Sequence, residues 1–313
     1  NKPKDIATDT TGKYDGIYLN RFFNGLYTPG STFKIAVALA ALENKVVTKD
    51  KSFYCSGAMS LGNHKFHCWK HSGHGSQDMI DALKNSCDIY FYEVAMLLGI
   101  EKIADMARKL GLGDVTGITL YNEQKGLIPD QDWKLKKYKE KWQQGETVIA
   151  GIGQGYVQVT PLQLAVMTAR VANGGYAVVP SFTKLNLKEK AKIKKLPISY
   201  ENLEIVKRGM FEVVNGEKGT AVASAFNING MKMSGKTGTT QVRRISMKER
   251  QSGIIKDEDL PWNLRNHALF VGFAPHNKPK YAVAVVVEHG SSGSGVAAPI
   301  ASKILQKAIE LNI

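Results

Sequence analysis

Ser31 and Lys34 stand three positions apart in Ser31-Thr32-Phe33-Lys34. On a helix, positions i and i+3 share a face, so the spacing sets a hydroxyl beside an amine. The turn signal Thr28-Pro29-Gly30 leads into Ser31, which places the serine at a helix start, where free backbone N–H groups favour a developing negative charge. Lys34 is flanked by Phe33, Ile35, Val37, Leu39 and Leu42. Burial among them would lower its pKa, and a neutral amine could take the serine proton. This is the Ser–Lys form of nucleophilic catalysis. The same four letters also describe a helix cap followed by a solvated lysine, so the tetrapeptide needs support. Two other segments offer it. Ser86-Cys87-Asp88 falls between two helical patterns, and Lys236-Thr237-Gly238-Thr239, preceded by Ser234-Gly235, lies on a strand-like run. Taken singly, Ser86 reads equally well as a helix cap and Lys236 as a strand-end surface lysine.

A second constellation is soft and nucleophilic. All three cysteines, Cys55, Cys68 and Cys87, fall close to His64, His67, His71 and His74. Three cysteines with one histidine make a common structural zinc shell, although this spacing is not that of a zinc finger. An odd cysteine count argues against a simple disulfide framework and leaves three options: a metal, a Cys55–Cys68 disulfide with one free thiol, or three buried thiols.

These residues need elements to hold them. Residues 31–43 read as a helix apolar on nearly every side, hence buried and central. Residues 51–77 show no regular pattern. Helices are expected over 78–84, 89–98 (ending at Gly99) and 100–110 (ending at Gly111), whereas 111–148 reads mostly as loop with a basic, aromatic patch at 133–142. Thr160-Pro161 is a good helix start for a segment running to Asn173. Residues 184–195 are lysine-rich and read as a solvated loop or edge, and 201–215 reads as a helix. Strands follow at 231–239, 268–273 and 281–288, with a long charged loop at 241–266 and a closing helix at 297–311. Helices followed by locally pairing strands suggest a mixed α/β (α+β) fold with an antiparallel sheet.

The chain has 313 residues, 43% hydrophobic and 22% charged, enough for a large core. Its formal charge of +14 suits nucleic acid, an anionic membrane or an anionic polymer, but no nucleic-acid-binding module is legible. No apolar run approaches the roughly 18 residues that span a bilayer.

The order Ser31-x-x-Lys34, Ser86-Cys87-Asp88, Lys236-Thr237-Gly238 matches the signature of penicillin-binding proteins and serine β-lactamases. Tyr27–Lys34 resembles the nucleophile segment of class B penicillin-binding proteins. Gly153-Gln154-Gly155-Tyr156 followed by Thr160-Pro161-Leu162-Gln163 resembles their glycine loop and helix. Asp88 in the second motif and the segment Trp69–Gly75 point to the penicillin-binding protein 2 branch, the elongation transpeptidases. The resemblance implies one transpeptidase domain over 1–313: a central antiparallel sheet flanked by helices, plus a helical lobe around 35–175. Residues 1–26 look too short to supply the strands that precede the nucleophile in that fold, and the family's membrane anchor and pedestal would lie upstream. The roles implied are nucleophile for Ser31, base for Lys34 and proton relay for Ser86, held by Asp88 and Lys236. Thr237, Gly238 and Thr239 would meet the terminal carboxylate of a peptidoglycan stem peptide, and Ser31 and Thr239 N–H groups would form the oxyanion hole. β-Lactams would acylate Ser31. The resemblance also implies a zinc site, matched by Cys55, Cys68, His74 and Cys87, and no organic cofactor. It places the enzyme at the extracytoplasmic (periplasmic) face of the membrane beside a SEDS-type glycosyltransferase. Rival readings are a class D-like β-lactamase, for which Asp88 is the wrong residue, and a non-enzymatic β-lactam sensor domain.

Overall fold

A computed structural model describes residues 19–119, 122–185, 192–243, 249, 253 and 255–312. The question of strands ahead of the nucleophile therefore falls largely outside the described residues, as does part of each of the charged segments 184–195 and 241–266.

After a short helix α1 (Arg21–Asn24), a 3₁₀ turn (Gly30–Phe33) runs straight into α2 (Lys34–Glu43). Every residue from Lys34 to Leu42 is buried, as an all-round apolar helix requires. Next come two small antiparallel pairs. β1 (Phe53–Cys55) pairs with β4 (Gly75–Gln77), and β2 (Ala58–Leu61) pairs with β3 (His64–His67). The irregular reading of 51–77 is corrected here: strands of three or four residues are too short to show a period. Helices α3 (Met79–Lys84), α4 (Asp88–Leu98) and α5 (Ile100–Lys109) follow as expected. Asp78 caps α3 through the Asp81 N–H, and Gly99, at φ 75°, ends α4.

The loop reading of 111–148 also needs correction, because α6 (Gln131–Tyr138) and α7 (Gln144–Ala150) lie within it. Their cause is polar rather than periodic. Asp130 accepts the Trp133 N–H at 2.7 Å, Glu146 accepts the Gln143 N–H at 2.7 Å, and the buried Lys134 ties the two helices through Glu146 at 2.6 Å. Helix α8 (Pro161–Ala172) starts with the expected proline and a reciprocal Thr160–Gln163 cap. Helix α9 (Tyr200–Asn215) precedes the sheet.

The sheet is a meander of β5 (Ser234–Thr240), β6 (His267–Ala274) and β7 (Tyr281–Val287), with β6 in the middle. Along β6 alternate residues serve two cores. Leu269, Val271 and Phe273 join the core of the helical lobe, whereas Ala268, Phe270 and Ala274 pack with Ala298, Ala301 and Leu305 of the closing helix α10 (Ala298–Leu311). Period-2 alternation with both faces covered explains why β6 reads as one continuous apolar run. Among the described residues no helix is long and apolar enough to cross a membrane.

Candidate active site and metal cluster

The turn that carries Ser31 is held from two sides. The Gly30 N–H donates to Gly153 O at 2.9 Å, and Tyr27 exchanges backbone hydrogen bonds with Val159, so the glycine loop fixes its approach. From the sheet, Thr240 Oγ1 donates to Thr28 O at 2.6 Å. Gly30 has φ +53°, and a Cβ there would stand 2.9 Å from Thr239 O; a Cβ on Gly238 would stand 2.9 Å from Thr32 Cγ2. These two glycines let β5 lie against the serine's turn.

Behind Ser31, Lys34 is fully buried, with Nζ donating to Asp88 Oδ1 at 2.7 Å, Ser86 O at 2.9 Å and Ser86 Oγ at 3.3 Å. Ser86 has φ +52°, a conformation serine rarely adopts and one found at strained functional turns. Burial pushes the Asp88 carboxyl upward, against the pull of Lys34. Lys236 is equally buried; desolvation first, then the nearby Lys34 charge, holds its pKa well below the ordinary lysine value. Its Nζ donates to Thr237 O at 3.3 Å. Thr239 lines a cavity of about 740 Å³ together with Ser31, Asp88, Trp69, Gln154 and Asn266. Thr237 is buried, with its hydroxyl 3.1 Å from Thr220 Oγ1.

The sulfur and imidazole groups converge as well. The ligand atoms of Cys55, Cys68, His74 and Cys87 all lie within 4.8 Å of one another, and all three cysteines are free thiols, so the Cys55–Cys68 disulfide is not formed. His74 presents Nδ1 at 3.5 Å to the sulfurs of Cys55 and Cys68. A tetrahedral zinc with ordinary Zn–S and Zn–N bonds sets sulfur and nitrogen about 3.5 Å apart. A hydrogen bond between the Cys68 and Cys87 side chains pulls the Cys68 thiol down and, together with burial, pushes Cys87 up. His64, His67 and His71 stay outside this group, as expected.

Trp69 is the functional residue that sequence reasoning used only as a marker of resemblance. Its backbone N–H donates to Asp88 Oδ2 at 2.9 Å, and its indole N–H reaches Ser86 O and Asn85 O, each at 3.1 Å. A tryptophan directly after a cluster cysteine was the available signal. Strand β5 thus lies against the turn of Ser31, while the buried Lys34 and the cysteine–histidine knuckle hold the second motif, the knuckle through Cys87 and Trp69.

The arrangement is that of the active-serine acyl-transfer enzymes. Residues 1–306 match the family described as penicillin binding protein transpeptidase domain, and the chain belongs to that family. Among curated proteins it is similar to the peptidoglycan D,D-transpeptidase MrdA of Haemophilus influenzae, 36% identical over 296 residues, covering 91% of this chain and 45% of the relative. MrdA of Escherichia coli K12 is 34% identical over 288 residues, covering 89% and 45%. Among solved structures, the complex between penicillin-binding protein (PBP2) and MreC from Helicobacter pylori superposes with a TM-score of 0.84 at 36% identity, over 95% of this chain and 52% of that one. The Pseudomonas aeruginosa PBP2 complex with WCK 5153 gives 0.78 at 37%, over 94% and 64%. The chain therefore spans about half the length of its curated relatives, and the expected penicillin-binding fold is the one observed.

Proposed function

We propose that this chain is the catalytic part of a peptidoglycan D,D-transpeptidase that cross-links stem peptides through a serine acyl-enzyme. The observation that carries the reading is the Lys34 amine, buried one turn from Ser31 and bonded to Ser86 and Asp88, with Thr239 facing the same cavity. Ser31 Oγ attacks the carbonyl between two D-alanines and its proton passes to Lys34. N–H groups of Ser31 and Thr239 receive the oxyanion. As the C–N bond breaks, Ser86 Oγ, within reach of Lys34 Nζ, returns a proton to the departing D-alanine amine. An amine of a neighbouring stem peptide then attacks the ester, forms the new amide and releases Ser31. Thr239 suits the terminal carboxylate by hydrogen bonding, Lys236 lies buried on the same strand near Lys34, Gly238 keeps β5 close to the serine's turn, and Thr237 supports the strand from behind. A β-lactamase would need a free base to activate water. Among the described residues the carboxylate lining this cavity is Asp88, already engaged by Lys34 and Trp69, which leaves no free carboxylate there for that role.

The donor set of Cys55, Cys68, His74 and Cys87 fits zinc. Three thiolates and an imidazole would close its shell, so the metal would stiffen the site without binding substrate. The family also supports placement on the extracytoplasmic side of the membrane, anchored by a segment outside this chain, with partners such as a SEDS-type glycosyltransferase or an MreC-like protein; the Helicobacter pylori relative was solved with MreC.

Mass spectrometry after benzylpenicillin tests the reading. One covalent adduct on Ser31, absent from Ser31→Ala, is expected, with slow nitrocefin turnover. Rapid turnover would convert the reading to a β-lactamase, and a lack of adduct would remove it.

A further inference from the structure

At the end of the β5–β6 pair away from Thr239, a second cavity of about 670 Å³ opens beside Ser234 and Phe273. Four cations from three segments line it: Arg208 of α9, Lys232 ahead of β5, and Lys278 and Lys280 of the β6–β7 turn. Among the described residues no carboxylate lines it. Arg208 is paired with Glu212 at 2.5 Å, and Lys280 donates to Asn312 Oδ1 at 3.2 Å. Among the described residues, neither Lys232 nor Lys278 has an acidic partner; Lys232 instead lies over the Phe211 ring, 5.9 Å from its centre. Arg208 lies over the same ring at 5.3 Å, and the His276 ring packs against it at 4.6 Å. Ser234 Oγ, 2.8 Å from His276 Nδ1, fixes that imidazole.

Arg208 is neutralised by Glu212, but the like charges of Lys232, Lys278 and Lys280 round the cavity repel each other, and solvent, salt or a bound anion relieves the repulsion. The charges stand on separate segments around an aromatic floor, so a single small carboxylate would reach only one corner. A ligand matching this layout carries two or more negative charges and an organic portion that lies on Phe211 and His276. We propose that this cavity is a binding site for a phosphate-bearing organic anion, separate from the acyl-transfer groove. Its source is either a soluble phosphate ester or the headgroup of an anionic phospholipid; the recognising chemistry is the same.

The test uses calorimetric titration with inorganic pyrophosphate and sedimentation with phosphatidylcholine vesicles with and without cardiolipin, whose headgroup carries two phosphates. Saturable pyrophosphate binding is expected, weakened about tenfold by Lys278→Glu with Lys280→Glu. An equal charge reversal on α6, Lys136→Glu with Lys137→Glu, should leave it within about twofold. Benzylpenicillin acylation should be unchanged in both variants, which shows that they are folded and keeps this site independent of the transpeptidase reading. Vesicle binding that pyrophosphate displaces identifies the headgroup as the source; pyrophosphate binding without vesicle binding identifies a soluble ester. Equal losses in the two variants would reduce the effect to the overall positive charge and overturn the proposal. So would vesicle binding that pyrophosphate cannot displace, or no binding of either probe.

Discussion

In the proposed reaction Lys34 takes up and returns a proton in place, so the groups that hold it would be part of how it works. Its Nζ donates to one oxygen of Asp88, and the backbone N–H of Trp69 donates to the other. The Ser86 carbonyl receives Lys34 Nζ and the Trp69 indole together, in a residue whose left-handed backbone costs roughly 1 kcal/mol or more. Trp69 is 56% exposed, so its indole is not there mainly to fill the core. Trp69→Phe would keep the ring beside His74 and delete the indole donor. One hydrogen bond of this kind contributes about 1 kcal/mol, so acylation by benzylpenicillin should slow about fivefold. Stopped-flow acylation would measure it, with zinc content and melting temperature as controls. An unchanged rate would return Trp69 to the status of a surface residue. The residue types of Ser31, Lys34, Ser86 and Lys236 were legible because their chemistry is written in the side chains. The part played by Trp69 was not, because half of it runs through a main-chain N–H that any residue carries.

The elements that carry these residues differ in how they hold together. Helix α2 and strand β6 are secured by burial on all sides, and the all-round apolar pattern of α2 made it legible in the sequence. The pairs β1–β4 and β2–β3 bury little, and isolated two-stranded ribbons are marginal in water. Their staple is the Cys55, Cys68, His74 and Cys87 cluster, whose residues span β1, the turn after β3, the approach to β4 and the start of α4. If it holds zinc, metal analysis of protein purified without added metal should find about one equivalent. Cys68→Ser should lower the melting temperature by several degrees and slow acylation, because Trp69 follows it directly and would lose its anchor. Metal-free protein with normal stability and acylation would show that packing alone suffices. Strand pairs held by side-chain chemistry leave little periodic trace. The same holds for α6 and α7, where caps and the Lys134–Glu146 pair replace an apolar stripe. Both kinds of element were read as irregular for that reason.

For the molecule as a whole, the sheet works as a partition. One face closes the helical lobe behind the serine and the other carries α10, so its strand ends must be sealed by polar residues. Histidines do this at both ends of β6. His267 packs on Tyr27 and His289, and His276 sits between Phe211 and Ser234. Burial lowers both pKa values, helped by His289 at one end and by Lys207 and Arg208 at the other, against Glu288 and Glu204. In the unfolded chain each titrates near 6.5. As pH falls through that value the unfolded state takes up protons that the folded state refuses, so stability is full above it and declines below it. Asp88, raised by burial, acts in the opposite sense. Urea midpoints measured at pH 7.5 and 5.5 should therefore fall on acidification in the wild type, and fall less in His276→Gln, which keeps a polar partner for Ser234 while removing the titration. Equal acid sensitivity in the two proteins would move the origin of any acid lability away from this end of the sheet.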